Sequence, residues 1–278
     1  MNALLRRALC IAAATIVLPS ASAAPVLFSG SGADTASIQS VVDDFREALG
    51  DPNNGVLAGS QPAGRREISW DGGGAGAPAA TFGIPMENFA NRGSVFTTPG
   101  TGFEISGQPT PEFGDINPTY PDIFTTFSTP RLFAPLGSNI TDVLFTVPGT
   151  TAVPAVSTGF GAVFTDVDLA ATSSLEFFDP FGLSLGSFFA PVFNGGLSFL
   201  GVTFDSAIVS RVRVTTGNTA LGPNDSSTAD IVALDDFIFG EPRVAAVAEP
   251  ATLALAAIAL AGMAFWLRAR RRPLPGHG

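Results

Sequence analysis

The sequence predicts a mainly β protein: a β-sandwich with one N-terminal amphipathic helix, placed between an N-terminal signal helix and a C-terminal transmembrane helix. The 278 residues include 31 Gly, 22 Pro and 24 Phe but only 14% charged residues, a composition typical of a turn-rich β protein. Short runs rich in Val, Ile, Phe and Thr alternate with turn residues between residues 139 and 240, as sandwich strands do. An uncharged apolar run lies near each end of the chain. We therefore expect a signal peptide over 1–23, an exported domain over 24–244 and a sorting tail over 245–278.

The N-terminal segment has the three parts of a secretory signal peptide. Arg6 and Arg7 precede an apolar stretch over 8–18, and Ala21-Ser22-Ala23 offers a small-residue cleavage site. An uncleaved N-terminal anchor is the alternative. Cys10, the single cysteine of the chain, lies inside this segment, so the mature protein is expected to have no disulfide bond and no cysteine metal ligand.

One helix is predicted in the exported domain, over residues 34–49. Its apolar residues recur at i, i+3, i+4, i+7 and i+11, which places them on one face; they are Ile38, Val41, Val42, Phe45 and Leu49. Asp34 or Thr35 can cap its start, and Gly50 can end it. Asp43, Asp44, Arg46 and Glu47 then fall on the solvent face, so we interpret these acids as solvating rather than catalytic.

The strand-like runs predict two layers. Short strands are expected at 65–70, 94–97 and 102–106, and seven clearer ones at 140–147, 159–166, 174–178, 183–189, 197–204, 208–215 and 230–239. This half is similar to exported bacterial carbohydrate-binding sandwiches of jelly-roll or galactose-binding-like type. That similarity concerns the fold and does not fix the function.

Two local patterns add detail to the strands. Asp179-Pro180-Phe181-Gly182 fits a type I turn and predicts a hairpin. In the last strand, alternation would place Asp235 and Asp236 on opposite faces, so one of them would be buried unless a bulge intervenes. The polar and apolar alternation at Arg211-Val212-Arg213-Val214 predicts that both valines point inward and both arginines outward.

The C-terminal tail predicts a membrane anchor. After a linker over 241–248, residues 251–267 contain no charge and no proline, and as a helix they would be roughly 26 Å long, near the bilayer core of about 30 Å. Trp266 lies where an interfacial aromatic belongs, and the cluster of Arg268, Arg270, Arg271 and Arg272 would hold that end on the cytoplasmic side. A buried core helix is the alternative interpretation.

The tail resembles the PEP-CTERM sorting signal of Gram-negative bacteria, which has a Pro-Glu-Pro motif, one hydrophobic helix and a basic cluster. Glu249, Pro250, Ala251 and Thr252 match the motif, while Ala248 stands where the family usually has its first proline. The resemblance implies recognition by an exosortase, a membrane protease-transpeptidase often found with exopolysaccharide export genes. It also implies that the protein is anchored by the C-terminal helix until processing and then reaches the cell surface or is secreted. The same tail is also attached to proteins labelled ice-binding, without itself implying ice binding.

Charge and residue content exclude several functions. Between Ala24 and Val247, eight arginines stand against twenty-three acidic residues, a net charge of −15, which disfavours nucleic acid as a partner. The chain has no lysine, and its single histidine, His277, lies in the basic tail. The exported domain therefore has no Ser-His-Asp, Cys-His or Ser-Lys catalytic set and no histidine zinc site.

The carboxylates of the acidic residues are the reactive groups that remain, and they are suited to bind calcium. Asp166 and Asp168 lie at the end of a predicted strand, Asp235 and Asp236 on the last one, and the loop over 218–230 adds Asn224 and Asp225. If these ends meet, their oxygens would form a calcium site; the alternative is that they satisfy backbone N–H groups in turns. We expect a non-catalytic surface or matrix protein that binds exopolysaccharide. A secreted carboxylate-dependent glycan hydrolase and an ice-binding adhesin are the other hypotheses.

Overall fold

The computed structural model describes residues 24–245 and 259–264. Residues 259–264 are helical, and none of the described helices combines the length and apolar character that a bilayer crossing requires. The predicted signal peptide, the motif at Glu249, Pro250, Ala251 and Thr252, and the cluster of Arg268, Arg270, Arg271 and Arg272 lie outside the described residues.

Thirteen strands in the described part of the chain form two antiparallel sheets, which confirms the prediction of a mainly β protein with two layers. The large sheet contains β1 (Val26–Gly32), β2 (Arg65–Ile68), β3 (Ala80–Phe82), β5 (Gly102–Ile105), β6 (Phe133–Leu136), β8 (Gly159–Val167), β11 (Phe193–Thr203) and β13 (Ala233–Gly240). Its order is β1-β11-β8-β13-β6-β5-β3, with β2 paired to β13. The small sheet has the order β10-β9-β12-β7-β4 and contains β4 (Ser94–Thr97), β7 (Ile140–Phe145), β9 (Ser174–Phe178), β10 (Ser184–Phe189) and β12 (Arg211–Thr215).

The main core lies between the two sheets and is rich in phenylalanine. Phe96 and Phe177 of the small sheet pack into the same cluster as Phe133, Phe160 and Phe237 of the large sheet. Aromatic rings of this size dominate core energetics through the area that they bury. The seven strands predicted between residues 139 and 240 are present, with ends that differ by a few residues. The β9–β10 hairpin is confirmed as well, with Gly182 N donating to Asp179 O at 3.0 Å.

Within residues 24–245 one α-helix, α1 (Thr35–Leu49), is present, and it covers the outer face of the large sheet. Asp34 caps it by accepting from Ser37 N at 3.0 Å. Phe45 sits over Gly161 of β8 and Gly201 of β11, where an added Cβ would come within 2.8 Å of its ring. The predicted helix and its apolar face are confirmed, but Arg46 is only partly exposed because it reaches across to Glu67 at 2.9 Å.

A long loop over 107–131 covers the rest of the outer face. Phe113, Tyr120 and Phe124 pack there against Ala134 of β6 and Ala233 of β13. The large sheet is therefore covered on both faces, which explains why every residue of β8 and of β13 is buried.

Two expectations about chain segments were wrong in detail. Strands β1, β3 and β6 were not predicted, and the linker expected over 241–248 begins later. Glu241 is buried and forms an ion pair with the fully buried Arg66 at 2.8 Å, and Arg243 exchanges two backbone hydrogen bonds with Val156. Residues 241–243 thus belong to the fold because they complete buried polar contacts.

Candidate metal centre

The candidate centre begins where β8 ends. Asp166 is 2% exposed and has a left-handed backbone (φ +66°), which turns the strand at its last residues. Opposite it, β11 contains an irregularity between Phe193 and Leu197, and Gly195 in this segment donates its N–H to Asp166 Oδ1 at 2.7 Å. This contact orients the Asp166 carboxylate and leaves Oδ2 free.

Asp168 follows β8, and a hydrogen bond from its backbone N–H to Asp230 holds it in position. The fully buried Asp230 accepts from the backbone N–H of Asp168 at 3.0 Å and from the hydroxyl of Thr172. Both carboxylate oxygens of Asp230 thus accept a hydrogen bond, and we assign Asp230 a positioning role for Asp168.

Asp225 arrives on the long loop between β12 and β13. Tyr120 holds this loop by donating to Pro223 O and accepting from Gly222 N at 2.9 and 2.7 Å. Asp225 Oδ1 accepts from Ile231 N at 3.0 Å. Contacts with the 107–131 loop therefore hold the Asp225 loop in position without a bound ligand.

The three side chains converge. One carboxylate oxygen from each of Asp166, Asp168 and Asp225 lies within 4.8 Å of the others. Asp166 Oδ2 and Asp168 Oδ1 are buried and have no hydrogen-bond partner among the described residues. No ion pair of the described residues includes any of the three.

The electrostatics of this cluster favour the binding of a proton or a cation. Burial raises the pKa of Asp166 to about 6, and the nearby Asp225 and Asp230 charges add to the rise. Burial, with repulsion from Asp166 and Asp225, raises the pKa of Asp168 to about 7. Two unit charges 4.8 Å apart repel by about 3.5 kcal/mol at an effective dielectric constant of about 20. A proton or a cation relieves that repulsion.

The donor set suits calcium among the biological cations. Calcium takes six to eight oxygens at about 2.4 Å, so oxygens on opposite sides of one ion stand about 4.8 Å apart, the limit within which these three fall. Zinc prefers nitrogen and sulfur ligands, and residues 24–245 include neither His nor Cys. Three carboxylates fit a calcium ion whose remaining positions are filled by carbonyls or water.

Asp235 and Asp236 lie in a different cluster. A bulge in β13 between Leu234 and Phe237 buries both carboxylates. Ser128 Oγ lies 3.1 Å from Asp235 Oδ1 and 2.6 Å from Asp236 Oδ1, and Phe127 N donates to Asp235 Oδ2 at 2.6 Å. The structure thus joins Asp166 and Asp168 with Asp225 and uses the other two predicted residues to hold the 127–128 segment on the sheet.

Burial raises the pKa of Asp235, and repulsion from Asp236 adds to it. Burial also raises the pKa of Asp236, although Ser128 and Arg46 act in the opposite direction. Alternation predicts one buried aspartate unless a bulge intervenes, but both aspartates are buried at the bulge. The bulge keeps Val232 and Leu234 before it, and Phe237 and Phe239 after it, on the same core face.

A second feature is a cavity of about 280 Å³ beside Trp70. Its walls include Phe82, Phe89, Arg92 and Arg131, and neither arginine forms an ion pair with a described residue. Burial, with repulsion from Arg66, lowers the pKa of Arg92. The cavity therefore combines aromatic walls with two arginines and one acidic residue, Asp71.

Comparisons of the chain with protein-family models, with curated proteins and with solved structures found no match, so the function has to be inferred from the chemistry of these residues.

Proposed function

We propose that the protein is a non-catalytic, exported cell-surface or matrix protein whose β-sandwich binds one Ca²⁺ ion through Asp166, Asp168 and Asp225. The observation that carries this proposal is the pair of buried, unpartnered oxygens, Asp166 Oδ2 and Asp168 Oδ1, within one group of three carboxylates. Buried carboxylate oxygens without a donor are rare in folded proteins, and a cation gives them a partner.

The ion would act as a structural clamp. It would join the end of β8 to the β12–β13 loop, two segments that otherwise bring like charges together. The finer fold assignment, jelly-roll or galactose-binding-like, is part of this proposal and is supported by the two antiparallel sheets with a helix on the outer face.

Calorimetric titration of the protein with CaCl₂ at about pH 8, above the raised pKa of Asp168, tests the calcium site. We expect binding of one ion and a loss of affinity of about tenfold or more for Asp225→Asn, because fewer ligand charges weaken calcium sites. Asp44→Asn is the matched control, since Asp44 is exposed on α1. Equal affinity of the Asp225→Asn variant and the control would show that the cluster is not the site.

The delivery of the protein is proposed from the tail. Recognition by an exosortase through Glu249, Pro250, Ala251 and Thr252, and anchoring by residues 251–267, are supported by the sequence pattern. Mass spectrometry of the mature C-terminus tests processing: a chain that ends within or near 249–252 supports it, and an intact tail contradicts it.

Binding of an acidic exopolysaccharide is a second proposed activity, favoured by the cavity beside Trp70. Its volume of about 280 Å³ is at the small end for ligand pockets and suits one sugar ring, and Arg92 supplies a cation for a carboxylate substituent. Pull-down of the protein with the acidic polysaccharide of its host, compared with Arg92→Gln, tests this activity. Equal retention of the two proteins would contradict it.

The hydrolase hypothesis gains no support from four cavities among the described residues. A glycosidase needs two carboxylates that flank the bond, whereas these cavities are each lined by one acidic residue: Asp179, Asp71, Asp205 and Glu241. The hydrolase and ice-binding hypotheses stay predictions, to be tested by glycan turnover and by thermal hysteresis.

A further inference from the structure

The chain leaves the sandwich at one end, and exposed apolar side chains surround the place where it leaves. Six of them are 40–88% exposed: Val56, Leu57, Val153, Phe181, Leu183 and Val244. We call this set the exit rim. Singly exposed apolar residues are ordinary, but a contiguous group marks a contact surface.

Hydrogen bonds bring the exit rim together from three separate loops. Ser60 Oγ donates to Pro242 O at 2.6 Å, which holds the 55–60 loop beside the C-terminal segment. Gly59 N donates to Pro148 O at 2.8 Å, which holds the same loop beside the segment that precedes Val153. Val156 is paired with Arg243 by two backbone hydrogen bonds of 2.7 and 2.9 Å. These contacts place Val56, Leu57 and Val153 next to the exit.

The tip of the β9–β10 hairpin completes the exit rim. A cavity of about 310 Å³ is lined by both Pro180 of the tip and Ala245 of the exit. Asp179 Oδ1 accepts from Phe181 N at 2.8 Å and from Leu183 N at 2.9 Å. The acid of the tip is thus occupied by the turn, while Phe181 and Leu183 point outward at 88% and 66% exposure.

The length of the chain beyond the exit limits where the exit rim can be. Residue 251, where the uncharged run begins, lies six residues after Ala245. Six residues span at most about 21 Å when fully extended. If residues 251–267 lie in a bilayer, the exit rim is held within that distance of the edge of its hydrocarbon core.

We propose that the exit rim is a membrane-contact surface, which places Phe181 and Leu183 in the headgroup region of the bilayer that holds the tail. The inference rests on the proposed anchoring by residues 251–267. Apolar side chains of interfacial elements sink about 5–10 Å into the boundary between headgroups and acyl chains. The calcium-binding cluster then faces away from the membrane, because β8 runs from Gly159 at the exit end to Val167, a rise of about 26 Å.

The chain allows a matched experiment, since Cys10 is its only cysteine. In full-length protein with Cys10→Ser, Phe181→Cys and Phe189→Cys each provide one attachment site for an environment-sensitive fluorophore. Both phenylalanines are exposed, at 88% and 54%, and both belong to the same hairpin. Phe189 lies about 17 Å further along β10 from Ser184, away from the exit rim.

The labelled proteins are reconstituted into phosphatidylcholine vesicles that contain a lipid with a spin label near the headgroup. We expect both variants to float with the vesicles. The fluorescence of the label at position 181 should be quenched about twofold, because the label would lie at a shallow interfacial depth, and the label at position 189 should show little quenching. Flotation with no quenching at position 181 would overturn the membrane contact while leaving the anchor intact. A blue shift at position 181 without quenching would also overturn it, because a second copy of the chain would then cover the exit rim. Failure to float would overturn the anchoring and the inference together.

Discussion

Replacing Asp166 by Asn should stabilise the calcium-free protein and reduce the stability that calcium adds. The amide keeps an oxygen to accept from Gly195 N, which lies 2.7 Å from Asp166 Oδ1, and its NH₂ group can donate to the unpartnered Asp168 Oδ1. The substitution removes one of three like charges and nearly preserves the shape of the side chain. Its effect therefore reports on charge rather than on packing.

The magnitude follows from the pKa. Burial and neighbouring carboxylates raise the pKa of Asp166 from 3.8 to about 6, and each tenfold change in acidity is worth about 1.4 kcal/mol, which gives about 3 kcal/mol. Burial accounts for most of this figure and repulsion for the rest, and solvent near the partly exposed Asp168 screens part of it. We therefore expect about 1–2 kcal/mol, on the order of 4 °C in Tm for a domain of this size.

The sign depends on pH. Because its folded pKa is raised, Asp166 stabilises the calcium-free fold fully below pH about 3.8 and loses that contribution as pH rises through about 6. Calcium-free wild type should therefore be less stable at pH 8 than at pH 5. With calcium at about 100 times its Kd, wild type should gain about 2.7 kcal/mol at pH 8 and little at pH 5, where protons compete for the site.

Thermal unfolding followed by circular dichroism, in EDTA and in CaCl₂, provides the measurement. At pH 8 the Asp166→Asn variant should be more stable than wild type in EDTA and should gain less stability than wild type from CaCl₂. Asp44→Asn should match wild type in both. A variant that is destabilised in EDTA, or that gains as much from calcium as wild type does, would refute the reasoning.

Two further predictions concern the fold. Gly161→Ala would bring a methyl group within 2.8 Å of the Phe45 ring and should lower the free energy of unfolding by about 1–3 kcal/mol. Gly72→Ala is the control and should leave the Tm unchanged, because its methyl group would meet nothing within 4 Å. Equal Tm values for the two variants would contradict the packing argument. Glu241→Ala leaves the fully buried Arg66 without its carboxylate and should destabilise the protein by about 3–5 kcal/mol in urea unfolding, and a loss below about 1 kcal/mol would mean that water reaches the guanidinium.

Much of the fold follows from local patterns. The helix α1 was predicted because one face carries its apolar residues and because Asp34 can cap it, and both features are local. Strand β1 was missed because Gly30 and Gly32 interrupt its pattern. An added Cβ at Gly30 would come within 2.8 Å of Val41, and one at Gly32 within 2.2 Å of Ser37. The two glycines therefore allow the helix to approach the strand closely, and a short stretch of sequence does not reveal that contact.

The candidate site was predicted in part for a similar reason. The sequence groups Asp166, Asp168 and the loop that contains Asp225 as a calcium site on the condition that their ends meet, but it places Asp235 and Asp236 in the same group. The separate position of Asp235 and Asp236 depends on the bulge in β13 and on Ser128, which lies more than 100 residues earlier in the sequence. Contacts between such distant segments require the assembled sheet.

The position of β13 sets the order in which the protein can fold. It is the last strand before the tail, yet it pairs with β2, β6 and β8 in the middle of the large sheet. A chain emerges from the ribosome N-terminus first, so these three strands wait for residues 233–240 before that side of the sheet can close. Pairings over such long separations are slow to form, and unpaired strand edges promote aggregation. Synthesis, and any transport through a membrane channel, must therefore pass residue 240 before the sandwich can close, and until then a binding chaperone would have to shield its strands.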